Sequence, residues 1–249
     1  MKSLRMASAA LLAAFSVGAA AVGGLADLTV YDRSEGRSLP VYWHEGRAWV
    51  VGKPGNEYQL NLRSRQGEDV LAVLSVDGVN AITGESATVQ QSGYVLSPSR
   101  ALEVKGWRKD LARTAAFYFT TLADSYAART GRPDNVGAIG VALFRRKAQE
   151  PAPLSQIAPS AKSERQDSAG SSVGRAAEAQ LGTGHGRSET SHARYTGFER
   201  ATSEPAETVI IYYDSYRNLV VRGVIPPQPP VGRRPAPNPF PGFVADPPA

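Results

Sequence analysis

From Asp27 to Phe144 the chain alternates apolar and polar residues over short runs, and turn-forming residues break the runs at close intervals. Side chains of an extended segment point to opposite faces in turn, so this pattern buries one face of a strand and suits little else. In Glu57–Arg63, Tyr58, Leu60 and Leu62 alternate with Gln59, Asn61 and Arg63, which describes a half-buried strand. Val70–Val76 is apolar almost throughout, as expected of a strand covered on both faces. Asp77-Gly78 follows it, a pair suited to the positive φ angles of a tight hairpin. Glu45-Gly46 carries the same signal, in a register that sets Tyr42 opposite Trp49 and Trp43 opposite Ala48. Pro98-Ser99, between Gly93–Leu96 and Ala101–Trp107, is a further hairpin signal. Thr114–Thr120 puts Ala115, Phe117 and Phe119 on one face. Asp124–Thr130 predicts a helical turn or two, capped by Asp124 and ended by Gly131-Arg132-Pro133. Gly137–Phe144 predicts a buried strand. Many short strands with hardly any helix predict an all-β protein, an antiparallel β-sandwich of jelly-roll-like type.

The remainder divides by composition. Residues 145–181 are rich in Ala, Ser, Gln, Glu and Pro and hold few large aliphatic side chains, the composition of a disordered linker. Residues 182–225 regain structured character. Thr208–Tyr213 and Leu219–Ile225 predict two strands of a hairpin joined by Asp214–Asn218. A lone hairpin is marginal in water, so it is expected to dock on the sandwich or on a partner chain. Residues 226–249 predict a Pro-rich, extended tail.

The N-terminus predicts export. Lys2 and Arg5 precede an uncharged apolar stretch from Met6 to Val22, and small residues follow through Gly24-Leu25-Ala26. This order describes a secretory signal peptide over residues 1–26, with cleavage placed after Ala26. There is no cysteine, which excludes a lipidated cleavage site, disulfides and thiolate metal ligands. The destination is periplasmic or secreted, with no transmembrane helix left after cleavage. The net charge of +5 includes Lys2 and Arg5, so the exported chain is only modestly basic. No basic stripe is interleaved with stacking aromatics, so nucleic acid is not an expected partner.

Several residue patterns suggest chemistry and lack its context. Gly170-Ser171-Ser172-Val173-Gly174 spells a nucleophile elbow, but it lies in the linker with no strand before it. Gly182-Thr183-Gly184-His185-Gly186 lacks the Lys-Ser/Thr ending of a phosphate loop and reads as a hinge. His185, Glu189 and His192 lie along a polar run, with His44 distant, too few ligands for a metal site. No cofactor is expected. Among the carboxylates Glu45, Asp77, Glu85, Asp124 and Asp134, turn and cap positions account for Asp77, Asp124 and Asp134. Tyr42, Trp43 and Trp49 form the candidate binding surface. Opposite faces of one hairpin cannot both be core at a sheet edge, which makes Trp43 or Trp49 a candidate for partial exposure, against core packing as the commoner fate of a large aromatic.

The runs Val73–Asn80, Ser92–Leu96, Lys105–Arg108, Asp124–Ala127 and Asn135–Ala142 resemble a family of uncharacterised exported proteobacterial proteins, over about Pro40 to Phe144 and again over Gly182 to Ile225. The resemblance implies an exported domain and brings no catalytic residues with it. The expected function is a non-catalytic binding or envelope-associated module, with an envelope component or carbohydrate as partner. One alternative is an envelope carbohydrate hydrolase or lyase, in which paired carboxylates, or His44 with a carboxylate, meet in a concave site. Another is an assembly subunit that uses the 208–225 hairpin to augment a neighbour's sheet, with the Pro-rich tail as a second recognition element.

Overall fold

The computed structural model describes residues 21–148 and 180–227. Residues 1–20 of the expected signal, 149–179 of the expected linker and 228–249 of the expected tail lie outside them. The first strands are β1 (Ala26–Asp32), β2 (Arg37–Ser38), β3 (Tyr42–His44), β4 (Arg47–Val51), β5 (Glu57–Ser64), β6 (Val70–Val76) and β7 (Val79–Asn80). Then come β8 (Tyr94–Leu96), β9 (Ala101–Val104), β10 (Gly106–Arg108), β11 (Arg113–Thr121), β12 (Ala138–Arg145), β13 (Leu181–Thr190) and β14 (Glu207–Asp214). Among the described residues the α-helical elements are two short helices, α1 (Tyr126–Arg129) and α2 (Tyr216–Val221).

The strands form a two-sheet β-sandwich. One sheet runs β10-β11-β5-β1-β2, with β13 also paired to β11 and β9 to β5. The other runs β3-β4-β14-β12-β6-β7, with β8 also on β6. All pairs are antiparallel except β14 with β4, which is parallel. The main core contains the inward residues of both sheets, including Leu28, Tyr58, Leu60, Phe119, Ile139 and Ile211.

Both Gly-containing hairpins take the expected form. Asp77 and Gly78 have φ of 54° and 74°, and Val76 pairs with Val79 across them. Tyr42 pairs with Trp49 and Trp43 with Ala48. The uninterrupted apolar character of β6 also has a physical reason. Its inward side chains enter the main core, while Leu71 and Val73 join Ala142 and Phe144 in a second cluster on the outer face. Val89, Val95 and Phe198 cover that cluster.

Other segments differ from the sequence reading. Pro98-Ser99 does not make a hairpin, because β8 pairs with β6 in one sheet and β9 with β5 in the other. The turn is a corner between sheets. Ser125, not Asp124, caps α1: its Oγ accepts from the Ala128 N–H at 3.2 Å, while Asp124 accepts from the Thr121 hydroxyl. The predicted hinge 182–186 lies within β13, buried from Leu181 to Gly184 and open at His185, and its glycines pack where side chains would collide. A Cβ on Gly184 would stand 2.2 Å from the Tyr118 ring.

The largest difference is at 219–225, where β-branched residues predict a strand and α2 stands instead. Ser215 caps the helix by accepting from the Asn218 N–H. At the other end Gly223, with φ of 73°, donates to Val220 O while Val224 donates to Leu219 O. These two bonds are the Schellman closure, and Leu219 and Val224 make its apolar contact. The helix buries Leu219, Val224 and Ile225 against Trp49 on the outer face of the second sheet, a gain that outweighs local β-propensity. Nothing lies within 4 Å of a Cβ at Gly223, so Gly223→Ala is expected to cost only the left-handed backbone term, about 1 kcal/mol. Urea denaturation at constant m-value measures it.

Candidate functional site

The three aromatic residues of the β3–β4 hairpin have separate fates. Trp49 faces outward from β4 and is buried beneath α2, with Tyr212 at 5.0 Å between ring centroids. The Arg222 guanidinium sits 5.7 Å from the Trp49 ring centroid. Tyr42 is half-buried in the same cluster. Trp43 points to the other face, but β3 is the last strand of its sheet. Its side chain therefore extends past the covered core and is 59% exposed. Trp107 is buried in the main core. Of the three Trp residues in the chain, Trp43 alone presents its indole to solvent.

A second feature was not legible in sequence. α1 and β13 together form a shallow cleft of about 290 Å³, lined by Asp124, Tyr126, Arg129, Thr130 and His185. Its floor is aromatic: Tyr126 lies 5.3 Å from His185 and 4.9 Å from Trp107, centroid to centroid. Arg132 lies over the Tyr126 ring. Close approach of β13 to α1 creates the cleft, and Gly182 permits it: a Cβ there would sit 2.6 Å from Ser125 Cβ. Glycines at every second position of 182–186 were the available signal. They mark a strand packed tightly on one face rather than a hinge.

Among the described residues, the carboxylates singled out in the sequence lie apart from one another in separate settings. Glu45 is at the exposed tip of its hairpin, 3.9 Å from His44 Nε2. Glu85 and Asp134 are exposed. Glu57 and Glu189 share an ion-pair network with two arginines. Arg33 donates to both oxygens of Glu189 at 3.0 and 2.9 Å, and Arg187 to both oxygens of Glu57 at 2.8 and 2.9 Å. The hydrogen bond from Arg187 holds the Glu57 carboxyl below its ordinary range. That is opposite to what a general acid requires.

Asp77 is the most perturbed carboxyl, and it is fully buried. Its Oδ1 accepts from the Tyr213 hydroxyl at 2.5 Å and from Gly137 N–H at 3.0 Å, and Oδ2 accepts from Thr183 N–H at 2.7 Å. The Thr183 hydroxyl continues the chain to the Tyr213 and Tyr58 hydroxyls, at 2.7 and 2.6 Å. Burial raises the carboxyl to about 6 against the pull of those hydrogen bonds, and burial likewise pushes both tyrosine hydroxyls up. No substrate reaches this network. It fastens the β6–β7 turn to β13, β14 and β5 through the middle of the sandwich.

Among the described residues no group of three or more His, Cys, Asp or Glu side chains is placed to hold a metal ion. Among them, too, no helix is long and apolar enough to cross a membrane. The Gly170–Gly174 run lies outside the described residues. The chain matches no protein-family model, no curated protein and no solved structure.

Proposed function

We propose that this protein is an exported, non-catalytic β-sandwich module that binds a carbohydrate of the cell envelope, with Trp43 as the stacking platform. The observation that carries the reading is the 59% exposure of Trp43 on an edge strand, where Trp49 of the same hairpin is buried and Tyr42 half-buried. An indole face offers a large rigid surface to the C–H face of a sugar ring, at little cost in side-chain entropy. The ion-paired or buried state of the best-placed carboxylates supports binding over hydrolysis. The basic, then apolar, then small-residue order of the N-terminus supports export.

The test is a titration of the exported chain with soluble fragments of envelope polysaccharide, followed by tryptophan emission. Trp49 and Trp107 are buried, and Trp107 lies beside the cleft residue Tyr126, so the emission change that reports Trp43 is the one lost in Trp43→Ala. Trp43→Ala is expected to weaken binding at least tenfold, about 1.4 kcal/mol, with the melting temperature unchanged. Equal binding by Trp43→Ala sinks this reading.

The 290 Å³ cleft supports a second position for the same class of ligand, since it joins an aromatic floor to Asp124, Arg129 and Thr130 as polar partners. Loss of binding in Arg129→Ala but not in Trp43→Ala would move the ligand there. Assembly through a 208–225 hairpin is the less favoured reading, since β14 is paired on one side with β12 and on the other with β4, and Tyr216–Val221 is helical.

A further inference from the structure

We infer that removal of the leader leaves Val22–Ala26 on the exported chain, with the cut in the Ala19-Ala20-Ala21 run rather than after Ala26. This rests on the export reading above and gives it a processing site. Small side chains are required at the −3 and −1 positions, and Ala19 with Ala21 meet that requirement as well as Gly24 with Ala26 do. The uncharged stretch holds an apolar core, Met6–Val17, within the roughly 7–15 residues usual for such a region. A cut after Ala21 follows that core by four residues and a cut after Ala26 by nine.

The fold separates the two sites. Residues 22–26 are not a frayed end. Val22 and Leu28 exchange both backbone hydrogen bonds, at 2.9 and 2.8 Å, closing a turn around Gly23–Ala26. The Leu25 carbonyl accepts from Arg65 N–H at 3.0 Å. Ala26 is the first residue of β1, pairs with Ser64 and is 1% exposed. The Gly24 and Leu25 N–H groups donate to the two oxygens of Glu207, at 2.7 and 2.5 Å. Glu207 begins β14 in the opposite sheet, so this turn ties the two sheets together at one end of the sandwich. Val22 and Leu25 also pack on the main core. A chain beginning at Asp27 would lose every one of these contacts and leave the Glu207 carboxylate without its two donors.

The experiment is expression of the whole chain in a Gram-negative host, with intact mass and N-terminal sequencing of the recovered protein. The expected N-terminus is Val22, or an alanine directly before it. A product beginning at Asp27 overturns the inference and leaves the export reading intact. Full-length protein in the membrane fraction overturns the cut but not export, whereas full-length protein in the cytosol overturns both. As a second readout, a chain started at Asp27 is expected to melt at least about 5 °C below one started at Val22. Equal melting temperatures overturn the structural argument independently of where the peptidase acts.

Discussion

A chain ended at Ala148 is expected to show no cooperative thermal transition, although it retains all of Asp27–Phe144, the region that reads as a sandwich in sequence. β14 is an interior strand, and its removal separates β4 and β3 from β12 in the same sheet. Val209, Ile211, Tyr213, Leu181, Leu219, Val224 and Ile225 are all buried. At about 1.5–3 kcal/mol for each such side chain, their loss exceeds 10 kcal/mol, comparable to the 5–15 kcal/mol of net stability usual for a domain. The same contacts predict the opposite result for a cut chain. With a protease site placed between residues 150 and 178 and cleaved after folding, both pieces are expected to elute together. Their melting temperature becomes concentration-dependent. Pieces that separate on cleavage, or a truncated chain that melts like the whole one, would show that 180–227 is not integral to the core.

The second large effect belongs to Asp77. Asp77→Ala removes the acceptor for the Tyr213 hydroxyl and the Thr183 and Gly137 N–H groups. It also places alanine at a φ of 54°. Two buried N–H groups stripped of their acceptor, a Tyr213 hydroxyl left with Thr183 alone, and a left-handed alanine are expected to cost about 4 kcal/mol, read from the urea midpoint. The pH dependence is informative because its sign is unusual for a carboxylate. Burial raises the folded carboxyl to about 6, above its ordinary 3.8. Between those values the unfolded chain gives up the proton first, so rising pH favours unfolding. The stabilising contribution is complete below about pH 4 and lost by about pH 6, some 3 kcal/mol for a shift of about two pH units.

Exposed Glu35 and half-buried Asp110, held low mainly by hydrogen bonds from Arg37 and Arg113, act in the opposite sense as pH falls. The quantity to measure is therefore the stability difference between the wild type and Asp77→Asn. It should shift against the wild type from pH 4 to pH 7. A difference constant over that range would place the carboxyl at its ordinary value.

The difference between what was and was not legible follows the range of the forces involved. Asp77-Gly78 and Glu45-Gly46 announced their hairpins because positive φ is a property of one or two residues. Tyr58, Leu60 and Leu62 announced a strand because alternation is local as well. The helix at 216–221 was written locally too, in Ser215 and Gly223, but Val220, Val221, Val224 and Ile225 argue for a strand. Burial against Trp49 settles that conflict, and Trp49 is distant in sequence. For the same reason Asp77 reads as an ordinary turn residue until Thr183 and Tyr213 are brought to it. The cleft beside His185 stays hidden because α1 and β13 are separated by the linker.

By itself, then, the order of residues determined that this chain is all-β, where it turns and which faces of its strands are oily, since these depend on neighbours along the backbone. Only the tertiary structure decided that β14 enters between β12 and β4, that Trp43 and not Trp49 meets solvent, and that the turn before β1 is fastened to Glu207. Each of those outcomes is set by which strands lie side by side, and that is fixed by burial summed over the whole molecule rather than by any local pattern.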